Sequence, residues 1–174
     1  RKISHLLRNK HDCILSTSKS INLDDSLLNC RINGLNNYKP DLFIIDLNLK
    51  LKKKLSLNNL LRKRKTFLIT HKKNLNKISK YKKKGYKFIF INELNNNNDF
   101  NLLYRKMYKM GYSRILIETG LTFLNNLLKN NKIHDLYIFK SERKLGKNGT
   151  NNGSPKYIKK LNPKLLKINL NGDK

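Results

Sequence analysis

The chain is 174 residues long, enough for a single domain with its own core, and it carries 39 Lys and Arg against 11 Asp and Glu, a formal charge of +28. No apolar run approaches the roughly 18–20 residues that span a bilayer, so a transmembrane helix is excluded. Cys13 and Cys30 form no CxxC and no ligand spacing with the four His, which argues against a zinc site and leaves free thiols in a reducing cytoplasm as the expectation.

In chain order, Arg1–Asn9 reads as a helix with Ile3, Leu6 and Leu7 on one face and Arg8 near its end. Asp12–Thr17 reads as a strand. Ser16–Ser20 is a hydroxyl-rich loop of the kind that suits a phosphate or ribose, and Asp24 and Asp25 are expected to cap a short helical turn. Pro40–Leu47 is a strongly apolar strand with Asp46 at its end. Thr66–Thr70 is a strand, Asn74–Gly85 a weak helix with a glycine stop, and Lys87–Ile91 a strand. Asn95–Asn98 has no evident role. Asp99 is expected to cap a helix whose face is Phe100, Leu103, Tyr104 and Met107, ending at Gly111. Arg114–Glu118 is a strand, Thr119–Gly120 a turn, and Leu121, Leu124, Leu127 and Leu128 repeat at helical spacing. Ile133–Lys140 and Leu165–Leu170 read as further strands around the Gly/Asn-rich stretch Gly146–Gly153.

Strands alternating with helices imply an α/β domain, a mostly parallel sheet with helices on both faces. Within it, the Arg114–Lys132 unit carries the clearest chemistry. Glu118 falls at a strand's carboxyl end, where open α/β sheets hold ligands. The backbone N–H groups of Gly120, Leu121 and Thr122 open a helix, an arrangement that favours an anion. The sequence there is neither a GxxxxGK[ST] loop nor a GxGxxG fingerprint.

The charge admits two readings. One is a nucleic-acid-binding domain, which requires lysines gathered on one face. The other is compositional drift, since Lys, Asn and Ile are over-represented while Ala and Val are absent, as A/T-rich coding would produce. Lys50, Lys52–Lys54, Arg62–Lys65, Lys82–Lys84 and Lys159–Lys160 are scattered along the chain, without an aromatic-interleaved repeat, which favours drift over a nucleic-acid partner.

Two stretches, His5–Arg31 and Arg114–Gly146, resemble the reductase domain of the bifunctional riboflavin-biosynthesis deaminase–reductase. The residues that carry the likeness are Leu7–Arg8, Asp12–Leu15, Asp24–Arg31, Glu118–Gly120, Asp135–Leu136 and Leu145–Gly146, in the family's order at fitting intervals. The resemblance implies a dihydrofolate-reductase-like fold and NADPH-dependent reduction of the ribose of 5-amino-6-(5-phosphoribosylamino)uracil. It implies that Arg8, Leu28, Arg31 and Glu118 contact this phosphorylated substrate, with Glu118 an orienting group in catalysis. It assigns Ser20, Asp24, Gly120, Leu121, Thr122, Phe123, Leu124, Asn125 and Asn126 to the cofactor.

A homodimer follows in the same way, and a cytoplasmic location is the expectation from the free thiols. A stand-alone pyrimidine-nucleotide reductase of the same fold is the nearest alternative. The chain departs from the family in Ser26 for a proline, Leu47 for a serine, and Leu136 directly after Asp135. By the resemblance, residues 1–174 are one reductase domain without the family's first strand and cut short at Lys174. The deaminase domain, the only place for zinc, lies outside it.

Overall fold

The computed structural model describes residues 2–35, 39–139 and 157–158. Its helices are α1 (Lys2–Lys10), α2 (Ser18–Asp24), α3 (Ser79–Lys84), α4 (Asn97–Lys109) and α5 (Leu121–Lys129). Its strands are β1 (Cys13–Thr17), β2 (Asp41–Ile45), β3 (Thr66–His71), β4 (Lys87–Ile91) and β5 (Ile115–Ile117). All strand pairs are parallel, in the order β4-β3-β2-β1-β5.

Because side chains alternate across a strand, the sheet builds two cores. Cys13, Leu15, Phe43, Ile45, Phe67, Ile69, Ile89 and Ile91 face α4 and α5 through Phe100, Leu103, Met107 and Leu127. Ile14, Leu42, Ile44 and Leu68 face the other way, onto Ile21 of α2, the loop leucines Leu51 and Leu55, and Leu57 of the 3-10 segment Ser56–Leu60. β1, β2 and β3 bury both faces, which is why they read as continuous apolar runs, while the edge strands β4 and β5 are partly covered. Phe43 stacks on Phe67 at 4.6 Å, with Tyr112 edge-on at 4.8 Å, and the Tyr112 hydroxyl donates to Asp41.

Five details differ from the sequence reading. The hydroxyl-rich run is not a loop: Thr17 caps α2, its Oγ1 accepting from the Ser20 N–H, and the helix begins at Ser18. Asp24 and Asp25 therefore stand at the end of α2 and do not cap a start; Asp25 is left-handed (φ 43°) and its carboxylate accepts from the N–H and hydroxyl of Ser56. Asn74–Gly85 is broken into a 3-10 segment, Lys72–Lys77, and the short α3, because the buried Asn74 side chain turns inward to Leu47 O and Thr70 Oγ1.

Asn96, not Asp99, caps α4; Asp99 is the reciprocal member of a capping box, its Oδ2 accepting from the Asn96 N–H. Finally, Ile133–Phe139 forms no strand among the described residues, and Tyr137, Ile138 and Phe139 stay exposed. Apolar alternation makes a strand only where a neighbour takes its N–H and C=O groups. Lys140, Gly146–Gly153 and Leu165–Leu170 lie outside the described residues.

Candidate active site

At the carboxyl end of β5 the ladder to β1 continues one step further, the Glu118 N–H donating to Leu15 O at 3.0 Å. That bond sets the direction of the Glu118 side chain. Across from it, the last turns of α1 present Arg8. The guanidinium grips the carboxylate with two parallel bonds, Nε to Oε1 and NH2 to Oε2, each 2.7 Å. The third guanidinium nitrogen donates to Asn29 O at 2.9 Å. Such a fork is short, directional and stronger than a neutral hydrogen bond. The Arg8 side chain is 12% exposed and that of Glu118 26%, so water reaches mainly the carboxylate.

His5, one turn before Arg8, accepts the Arg31 backbone N–H at Nδ1 (3.2 Å), and its own carbonyl accepts from Cys30 Sγ. Partial burial first, then the neighbouring Arg8 charge, lowers the His5 pKa below 6.5. Leu28 sits in the same loop with a left-handed backbone (φ 47°). Buried Arg64 holds it there, donating to the carbonyls of Leu27, Leu28 and Pro40. Sequence reasoning missed Arg64, because nothing in a run of basic residues marks the one that turns inward.

The turn after Glu118 is tied to α2. Ser20 Oγ accepts the Gly120 N–H at 3.1 Å and meets Thr17 Oγ1 at 3.0 Å, which lies 3.4 Å from Thr119 Oγ1. Gly120 is the N-cap of α5 with an ordinary φ of −73°, and no side chain caps the helix. The N–H groups of Leu121, Thr122 and Phe123 are thus left for an external acceptor. Buried Asp46 closes the neighbouring strand end, accepting from Ser18 Oγ and from the N–H groups of Lys50 and Leu51.

These elements border a groove of about 1150 Å³ along β5, lined by Arg8, Ser20, Asp24, Leu28, Glu118, Gly120 and Leu124 among others. Arg31 is exposed and stands beside His5, outside that lining. Leu121, Thr122, Phe123, Asn125 and Asn126 also lie outside it. Phe123 packs its side chain against the core, and Asn126 bonds to Asn130 Nδ2, so neither side chain lines the groove. The groove also takes in Tyr104, whose hydroxyl is buried with no hydrogen-bond partner among the described residues and whose pKa burial pushes up to about 12.

The groove fits a nucleotide cofactor in two respects. It exceeds the few hundred Å³ of a small-ligand pocket, and the start of α5, with no side-chain cap among the described residues, offers backbone donors to a phosphate. The described residues hold no cluster of three His, Cys, Asp or Glu that could ligate a metal.

A family model described as the RibD C-terminal domain matches residues 1–172. Among solved structures, RibD of Acinetobacter baumannii superposes with a TM-score of 0.59 at 18% identity, over 76% of this chain and 35% of that one. The diaminohydroxyphosphoribosylaminopyrimidine deaminase/5-amino-6-(5-phosphoribosylamino)uracil reductase of Thermotoga maritima gives 0.59 and 18%, over 74% and 33%. The riboflavin biosynthesis reductase Rib7 of Saccharomyces cerevisiae gives 0.58 and 21%, over 73% and 57%. This chain therefore spans 33–57% of the length of these proteins, and at such identities the likeness is one of fold. No curated protein matches the sequence.

Proposed function

The chain belongs to the family of RibD C-terminal domains, and from that premise we propose that it reduces the ribose of 5-amino-6-(5-phosphoribosylamino)uracil to a ribityl chain, using NADPH. The observation that carries this reading is the convergence of three separate stretches on one groove. Arg8 and Leu28 from the first part of the chain, Ser20 and Asp24 from α2, and Glu118 and Gly120 after β5 all border it.

In this reading the nicotinamide supplies a hydride to the ribose C1′, and the protein's work is positioning. Glu118, held by the Arg8 fork, presents its carboxylate to a substrate hydroxyl or amino group. Arg8 is engaged at all three nitrogens, so it acts by holding Glu118 and the Asn29 carbonyl. Exposed Arg31 is the guanidinium left to meet the substrate phosphate. The N–H groups of Leu121–Phe123 receive a cofactor phosphate, while Ser20 keeps the Gly120 turn in place.

The test is NADPH oxidation by the full-length protein with the deaminated ribosylaminouracil phosphate as substrate, wild type beside Arg31→Ala. Turnover by wild type, with Arg31→Ala raising the substrate KM and sparing the NADPH KM, supports the proposal. No turnover and no NADPH binding by folded protein would sink it.

A further inference from the structure

Residues 47–92 contain sixteen Lys and Arg and no Asp or Glu, whereas 93–139 contain six basic and four acidic residues. Arg64 is buried; the other fifteen are exposed, and none is in an ion pair among the described residues. The basic runs read as scattered because they are far apart in sequence. Folding gathers them. Lys84 Nζ donates to the Lys53 carbonyl, joining Lys82–Lys84 to Lys52–Lys54.

Gly85 lies against Leu61, its Cβ position 3.8 Å from Leu61 Cβ, and Tyr86 Oη donates to Asn58 Oδ1 at 2.8 Å, which brings Arg62–Lys65 alongside. In the parallel register Lys87 pairs with Phe67, two residues after Lys65. The result is one basic face at the amino ends of β3 and β4, made by the runs around Lys53, Arg62, Lys83 and Lys87; Lys72, Lys73 and Lys77 follow the carboxyl end of β3, outside it. The acids that border it are occupied: Asp25 accepts from Ser56, and Asp41 from the Lys65 N–H and Tyr112.

Lys52 reaches Asn22 of α2, the helix whose Ser20 and Asp24 border the groove, but the rest of the face lies away from the candidate active site in two senses. The groove lies along β5, at the opposite edge of the sheet, three strand spacings from β3 and four from β4, roughly 14–19 Å. The Glu118 turn is also at the carboxyl ends of the strands, not the amino ends. A polyanion on the basic face leaves the groove open. Compositional drift alone would add lysines to every exposed surface, and it would not clear one half of the sheet of acids.

We propose that this face binds the phosphate backbone of a nucleic-acid duplex without reading its sequence. Clustered ammonium groups suit repeating phosphates. Within residues 47–92 Leu75 is the one exposed large hydrophobic side chain, so the face lacks the apolar surface that an anionic membrane would take up. It also offers no exposed aromatic ring for stacking single-stranded bases, since Tyr81 and Tyr86 turn inward.

The test is fluorescence anisotropy of the full-length protein with labelled RNA and DNA duplexes of arbitrary sequence, about 20 base pairs long, across roughly 50–300 mM KCl. Vesicles containing phosphatidylserine form a second arm. Two quadruple variants are compared after their fold is checked by circular dichroism: Lys53→Gln, Arg62→Gln, Lys82→Gln, Lys83→Gln on the face, and Lys10→Gln, Arg105→Gln, Lys109→Gln, Lys129→Gln elsewhere. The expected result is salt-dependent duplex binding that the first set weakens by about tenfold or more, lowering the salt slope by roughly one for each phosphate no longer neutralised, while the second set changes it less than about threefold. Both sets keep reductase turnover. Equal losses from both sets would make the effect one of net charge and overturn the proposal, as would duplex binding too weak to detect at about 150 mM KCl. Binding to vesicles but to neither duplex would overturn it as well.

Discussion

Arg8 and Glu118, 110 positions apart, are locked in a two-pronged pair whose bonds are both 2.7 Å. Only a planar guanidinium matches both carboxylate oxygens at once. Arg8→Lys keeps the charge and loses the fork, so kcat is expected to fall about 10- to 100-fold, the scale of a misplaced catalytic group. Glu118→Gln is expected to do the same. The two residues act as a unit, so the double variant should be no slower than the slower single one. Steady-state kinetics of the three proteins give the answer; additive losses would mean that the two side chains work independently.

Ser20 holds the turn rather than the chemistry. Removing its Oγ in Ser20→Ala leaves the Gly120 N–H without its acceptor. The NADPH KM is expected to rise several-fold, about 1 kcal/mol for a lost hydrogen bond. The substrate KM should stay near wild type, and an unchanged NADPH KM would separate this turn from the cofactor.

Arg64 is a buried cation serving three carbonyls, and burial lowers its pKa to about 10. Arg64→Leu fills the space and leaves those carbonyls without donors, at an expected cost of about 2–4 kcal/mol in chemical denaturation. Because Leu28 lines the groove and Arg64 fixes its backbone, the substrate KM should rise with the loss of stability.

His5 gives the fold an acid-side pH dependence. Its folded pKa lies below 6.5, so between these two values the unfolded chain binds more protons than the folded one. Stability is therefore expected to fall as pH drops from about 6.5 through the folded value, and to be level in this respect above about 6.5. Denaturant midpoints of wild type and His5→Gln, measured from pH 8 to pH 5, test this; the variant should show the shallower slope over roughly that range.

The cap of α4 lies in a stretch of four asparagines with no evident role in the sequence. Asn96 Oδ1 accepts from the N–H groups of Asn98 and Asp99. Asn96→Ala is expected to cost about 1 kcal/mol of stability, read from thermal unfolding. Asn97→Ala, one position inside the helix with no such bond, serves as the comparison.

The strands were legible because burial writes itself as short apolar runs; β1, β3, β4 and β5 fall within a residue of their expected bounds, and β2 ends two residues before the expected Leu47. Their parallel order follows the alternation with helices. The misreadings concern local polar choices. Thr17 outcompetes Asp24 as a cap because the chain turns into a helix at once after β1, and Asn96 outcompetes Asp99 by three positions. Propensity ranks Asn, Asp, Ser and Thr almost equally at a cap, so which of them acts is decided by where the preceding strand ends. Ile133–Phe139 had the pattern of a strand, but among the described residues no neighbour takes its N–H and C=O groups.

By itself, then, the sequence determined the class of fold, the helix-opening turn after Glu118, and the residues whose order marks the family, because each is written in local periodicity or in a short motif. The tertiary structure decided what those residues do to one another. It set Arg8 on Glu118 and left Arg31 exposed, turned Arg64 inward from a basic run, and gathered three lysine clusters onto one face. Pairings across tens of residues depend on sheet order and strand register, and no window of the sequence contains both partners.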